Sequence, residues 1–151
     1  MRVARTTVTD GVLEAVAVFA PGEPMRTSGY PGLARAALEA LPGLKGHRCR
    51  NEAGMGFRQE LEDTEVAHLL EHATLEIMAM AGSPDTLRGA TSWDKSIDGE
   101  GAFRVSVAWD DEAVARSAFE AALALVSALV RGDQAPDMFA EAVRIKRLRK
   151  R

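Results

Sequence analysis

Cysteine is almost missing from this chain. A single one, Cys49, in 151 residues excludes any internal disulfide and fits a reducing compartment. Aromatic residues make up only 5%, so no stacking platform for nucleic acid is interleaved with the basic residues. No run approaches the roughly 20 apolar residues of a membrane span. The one stretch resembling an export signal, "VLEAVAVFA", is short and is broken by Asp10 and Glu14, so it reads as a strand and the chain as cytoplasmic. Internal repeats, low-complexity tracts and linker-like composition are also lacking. With 46% hydrophobic and 27% charged side chains, residues 1–151 read as one domain with a sizeable core.

Acids outnumber bases, 22 to 19, for a formal charge of −3. Residues 144–151, "RIKRLRKR", hold six of those 19 cations and no acid, which leaves 13 cations against 22 acids, or −9, elsewhere. An acidic body favours cationic ligands and disfavours nucleic acid. The basic tail admits two readings: a solvated, fraying helix end whose cations suit the helix dipole, or a contact for phosphate, an acidic partner or nucleic acid.

The pattern of elements is α+β. "RVARTTV" and "VLEAVAVFA" are rich in β-branched residues and flank Asp10-Gly11, a hairpin signal. "LARAALEAL" is a short helix stopped by Pro42-Gly43, and the glycine-rich stretch 43–57 is an irregular loop of the kind that carries function beside a rigid element. A helix capped by Asp63 or Thr64 runs to Gly82. After a polar stretch, "AFRVSVAWD" alternates as a half-buried strand. Asp110 caps a helix that is apolar nearly all round from Phe119 and stops at Gly132. Residues 137–150 form a last, amphipathic helix. These elements predict an N-terminal hairpin, a motif-bearing helix, a further strand and two C-terminal helices on a small, mostly antiparallel sheet.

The chemistry concentrates in "TEVAHLLEHATLEIMAMAG", residues 64–82. At about 100° per residue, Val66, Leu69, Leu70, Ala73, Ile77 and Met80 make one core-facing stripe. His68, Glu71, His72, Leu75 and Glu76 fall on the opposite side, with the histidines one turn apart and Glu71 adjoining both. That is His-x-x-Glu-His, the inverse of the His-Glu-x-x-His zinc signature. Histidines at i and i+4 can direct their nitrogens at one Zn²⁺ while the carboxylate between them remains a base for zinc-bound water. The plain alternative is a solvated polar face with loose His/Glu pairing. A third ligand is left open. Glu76 ranks first, with a role orienting His72 as its alternative; His47, Cys49 and Glu112 are the other candidates. Cys49 reads first as a small buried apolar residue, with a metal-proximal role as its alternative, and Arg88 as a clamp for a substrate carboxylate or equally as an ordinary surface arginine.

The stretch "LPGLKGHRC…GMGFRQELEDTEVAHLLEHATLEIMAMAG" resembles the signature of the N-terminal domain of cyanophycin synthetase. The match runs through Leu41, Pro42, Leu44, His47, Cys49, Gly56, Phe57, Leu61, Thr64, His68, Glu71, His72, Glu76, Ala81 and Gly82, and more weakly through Arg88 and "FRVSVAW" to the helix near Glu112. Departures are Met55 for a glycine, Glu60 for an arginine, Asp63 for a glycine, Ile77-Met78 for leucine-glutamine and Ala108 for a glutamate; none removes a residue assigned to zinc or base. Cyanophycin synthetases polymerise aspartate and arginine with ATP-dependent ligase modules. This chain has no phosphate-binding glycine loop, so the resemblance implies the N-terminal module alone, freestanding. In that family the module binds the polymer and in some members looks like a zinc metallopeptidase that cuts it. The expectation is a zinc-dependent amide hydrolase acting on a peptide such as an Asp/Arg polymer, with His68, His72 and Glu76 on the metal and Glu71 as base. The alternative is a non-catalytic polymer-binding module; homo-oligomerisation is left open.

Overall fold

The computed structural model describes residues 1–49 and 54–150. Part of the 43–57 loop, at 50–53, and Arg151 in the basic tail lie outside them. In chain order the elements are strands Arg2–Thr9 (β1) and Val12–Val18 (β2), helices Leu33–Ala40 (α1), Phe57–Glu60 (α2) and Val66–Met80 (α3), strand Gly89–Ser92 (β3), helix Lys95–Asp98 (α4), strand Ala102–Ala108 (β4), and helices Glu112–Arg131 (α5) and Met138–Lys146 (α6). Short 3-10 turns cover Thr27–Gly29 and Pro42–Gly46. The architecture is α+β, with an antiparallel sheet in the order β1-β2-β4-β3.

The hairpin turns at Asp10-Gly11, where Gly11 takes φ 76°, a value that a β-carbon would resist. Register then sorts the side chains by face. Leu13, Ala15 and Ala17 on β2 stand opposite Val107, Val105 and Phe103 on β4, and all six are buried. Their neighbours Glu14 and Arg104 point the other way, where Arg104 forms a two-pronged ion pair with Asp98 at 2.8 and 2.9 Å. Onto the apolar face pack α3 and, beyond it, α5. Val66, Leu69, Leu70, Ala73 and Ile77 are fully buried, so the core stripe of α3 is where the helical spacing puts it; Met80, at its end, is only half-buried.

Several local expectations are corrected. Asp111, and not Asp110, caps α5, its side chain accepting from Val114 N–H. Glu65 precedes α3 without any side-chain cap hydrogen bond, because Thr64 Oγ1 turns to His68 Nδ1. The elements β3, α2 and α4 are four residues each; β3, "GATS", carries no apolar alternation and is a strand because β4 pairs with it. By length and composition alone the Glu112–Val130 part of α5 could cross a membrane, although Glu112, Arg116 and Glu120 interrupt its apolar run. Much of it is buried inside this fold, Val114, Phe119, Ala122, Leu125 and Val126 among its core residues.

One cation of the basic tail, Arg149, is docked, while Arg144, Lys146, Arg147 and Lys150 are exposed. Arg149 donates from Nε to the Ala81 carbonyl at 3.2 Å, from Nη2 to Ser83 Oγ at 2.9 Å and from Nη1 to Asp110 Oδ2 at 2.6 Å. The Lys150 amide donates to Asp111 Oδ2 at 3.0 Å. A guanidinium at the C-terminal end of α3 answers the last carbonyls and the negative end of the helix dipole.

Candidate metal centre

The side of α3 opposite its core stripe is also enclosed: Glu71 is 5% and His72 4% exposed. The solvated polar face is therefore not what the chain builds. β3 and the Pro42–Cys49 segment cover that side, and they carry the remaining groups.

With the imidazoles in their neutral, ligating form, the hydrogen bonds select the tautomers. His47 Nε2 lies 2.7 Å from Glu76 Oε2 and its Nδ1 2.9 Å from His72 Nδ1. A carboxylate only accepts, so His47 donates from Nε2; its Nδ1 then accepts from His72 Nδ1–H, and His72 Nε2 is left with a bare lone pair. Thr64 Oγ1 donates to Glu65 Oε2 at 3.2 Å and lies 2.9 Å from His68 Nδ1, so His68 Nδ1 is the donor and its Nε2 is bare too. These two lone pairs face one another at 3.1 Å. Such an arrangement calls for a cation between them.

The third donor at that point is Cys49 Sγ, 3.4 Å from His72 Nε2 and 3.9 Å from His68 Nε2. Cys49, His68 and His72 are the group of ligand atoms that converge within 4.8 Å of one another among the described residues. Glu76, ranked first as third ligand in the sequence, is not in that group. Its carboxylate is turned to His47 and packs against Gly43, where a β-carbon would collide with it, so it orients the imidazoles from behind. His47 sits in the same second row, and Glu112 is the first residue of α5, outside the group. Arg88 is exposed and stands one residue before Gly89.

The donors suit a metal. Tetrahedral zinc, with bonds of about 2.05 Å to nitrogen and 2.3 Å to sulfur, separates two nitrogens by about 3.3 Å and nitrogen from sulfur by about 3.6 Å. The observed 3.1, 3.4 and 3.9 Å bracket those values. Burial, with His68 and His47 adding to it, pulls His72 down to about 2, so it stays in the neutral, ligating form. Burial pushes the Cys49 thiol up, and the neighbouring Glu60 and Glu71 carboxylates push it further. Two carboxylates beside a thiol make the spot attractive to a divalent cation and poor for a free thiolate nucleophile.

Phe57, fully buried, stacks on the His72 ring at 3.9 Å and 15° and meets His68 edge-on at 5.2 Å, clamping both rings. Glu71 is held from the sheet. Thr91 Oγ1 donates to its Oε2 at 2.6 Å, while Oε2 lies 3.9 Å from His68 Nε2 and Oε1 4.0 Å from His72 Nε2. Burial raises Glu71 above the ordinary carboxylate range, with the Thr91 hydrogen bond working against it. Gly89 is required beside it: a β-carbon there would stand 2.8 Å from Glu71 Cγ. Sequence reasoning missed Thr91 and Gly89; a β-branched hydroxyl residue two positions after a glycine was the only local signal.

Residues 13–131 match the family model described as the cyanophycin synthase-like N-terminal domain. The chain belongs to that family. It is similar to the cyanophycin synthetases of Trichormus variabilis and of a Nostoc species, 30% identical to each over 101 residues, which is 66% of this chain and 11% of theirs. The chain thus spans 11% of the length of these curated relatives. The matched region of the cyanophycin synthase-like domain includes Cys49, His68, Glu71, His72 and Thr91, and stops before α6 and the docked tail.

Proposed function

We propose that this domain is a zinc-dependent amide hydrolase, with Cys49, His68 and His72 holding the metal and Glu71 acting as general base. The observation that carries it is the facing pair of bare imidazole nitrogens at 3.1 Å beside a sulfur, with a carboxylate about one atom's width further off. Bound there, zinc supplies a Lewis acid that brings water's pKa to about 7. Everything else falls to the chain. Thr91 ties down Glu71 Oε2, which leaves Oε1 as the acceptor for a water proton and, after carbonyl attack, as its donor to the leaving amine. The raised carboxyl suits that double duty, because a base must bind its proton strongly enough to carry it. Glu76 and His47 hold His72 in the ligating tautomer, and Thr64 does the same for His68. The family's substrate class makes a peptide such as an Asp/Arg polymer the reading for what is cut; the acidic body would attract its arginines, and a cytoplasmic setting would keep Cys49 reduced.

The second reading, a polymer-binding module without turnover, is favoured by the enclosure of the site, since His72 and Glu71 are each nearly inaccessible. Metal analysis of protein purified without a histidine tag, coupled to cleavage of Asp/Arg peptides, separates the two. Expected are one zinc per chain, lost in Cys49→Ser, His68→Ala and His72→Ala, and a Glu71→Gln variant that keeps zinc without turnover. Full activity in Glu71→Gln, or cleavage that is absent even with zinc added, sinks the hydrolase reading.

A further inference from the structure

The base is anchored on a strand whose outer side is open among the described residues. Among the described residues β3 is the last strand of the sheet and pairs with β4 alone. In an antiparallel pair, residues alternate between those bonded to the partner and those whose N–H and C=O turn away from it. The Ala108 amide donates to the Arg88 carbonyl at 2.8 Å, which sets the phase: Arg88, Ala90 and Ser92 are the bonded positions, and Gly89 and Thr91 present their backbone groups to the open side. Among the described residues no hydrogen bond reaches those groups. These are also the two residues that touch Glu71, Thr91 through its hydroxyl and Gly89 through its missing β-carbon.

Two surface clefts lie away from the metal cluster, one around Tyr30, Arg35 and Lys45, the other around Trp109, Asp110 and Arg149. Neither borders Glu71. The polar groups open next to Glu71 are those of the strand edge, and an edge recognises one thing well: another extended backbone.

We infer that the open edge of β3 is the substrate-binding strip, on which an extended peptide pairs with the backbone of Gly89 and Thr91 and so brings a carbonyl up to Glu71. This rests on the hydrolase reading and names its substrate class as an extended polyamide chain. Four residues at about 3.3 Å each make a strip of about 13 Å, long enough to read about four substrate residues. Its ends are differentiated. Arg88 precedes the strip, exposed and in no ion pair among the described residues, so a carboxylate on the substrate has a cation there. Trp93 follows it, 52% exposed, with the Lys95 ammonium 5.0 Å over its ring, so that end offers an aromatic edge and a second cation to the substrate.

The test uses the full chain, zinc-loaded, as Glu71→Gln to prevent turnover, and a blocked hexapeptide of alternating aspartate and arginine as probe. Amide hydrogen exchange followed by NMR should slow at least about tenfold at Gly89 and Thr91 at saturating peptide, and hardly change at Ala90 and Ser92, which β4 already holds. Singly N-methylated hexapeptides should bind about fivefold to tenfold more weakly at alternate positions only, the loss of one edge hydrogen bond each. Bound peptide without slowing at Gly89 and Thr91, losses without a two-residue period, or no binding at about millimolar peptide would each overturn the inference. Edge protection in a protein that never cleaves leaves the strip standing and removes only the hydrolase; cleavage by wild-type protein with an unprotected edge removes only the strip.

Discussion

Removal of Arg149 tests whether the basic tail is a strap or a solvated end. In Arg149→Ala the guanidinium leaves three acceptors at once: the Ala81 carbonyl, Ser83 Oγ and Asp110 Oδ2. A hydrogen bond to a charged group contributes about 1.5–3 kcal/mol, but this ion pair is partly wet, with side chains 24% and 29% exposed, and solvent screening reduces its share. About 2 kcal/mol in total is the expected loss, or a fall in Tm of about 4–8 °C for a chain of this size. Acid should remove the Asp110 share of that difference and leave the share of the Ala81 carbonyl and Ser83 hydroxyl. The Ser83 and Arg149 hydrogen bonds hold Asp110 below its ordinary value of 3.8 in spite of its partial burial, and a group with a depressed folded pKa stabilises above its unfolded pKa and loses that stabilisation as pH falls through the folded one. The gap between wild type and variant should therefore be constant from neutrality down to about pH 5 and shrink below the aspartate value. Differential scanning calorimetry over that range measures it, with Arg147→Ala, an exposed neighbour in no ion pair among the described residues, as the control expected within about 0.5 kcal/mol. If Arg149→Ala matches Arg147→Ala, or its deficit persists unchanged in acid, the clamp is not what holds the tail.

Two further outcomes probe the site. Gly89→Ala should destabilise the fold by about 1–3 kcal/mol by overpacking, because one of its close contacts, the Ser106 carbonyl at 2.9 Å, is backbone that cannot swing aside; urea denaturation showing a change below about 0.5 kcal/mol would mean that β4 does not crowd this position. Zinc uptake should release a proton from Cys49, whose thiol is pushed up by burial and by Glu60 and Glu71, so the apparent affinity should rise about tenfold per pH unit across about pH 6 to 8. His72, already neutral there, adds nothing to that slope. Chelator competition gives the slope, and a flat line would remove the thiol from the ligand set.

The placement of His68, Glu71 and His72 on one side of a helix was legible in the sequence because a helix fixes the angle between residues three and four apart without help from the rest of the chain. The hairpin at Asp10-Gly11, the core stripe of α3 and the alternation of β4 were legible for the same reason: each is a periodicity or a turn written within a dozen neighbouring residues. Tertiary structure decided what depends on distant pieces meeting. It brought Cys49, from the loop before α2, up to the two imidazoles and turned Glu76 away to His47. It made a strand of "GATS" by pairing it with β4, and through Thr91 it gave Glu71 an anchor that no spacing within α3 could specify. It buried a face that reads as polar and tied one cation of the solvated tail, Arg149, to the end of α3. A side chain's local period says which way it points, but only the surfaces packed against it set what it meets.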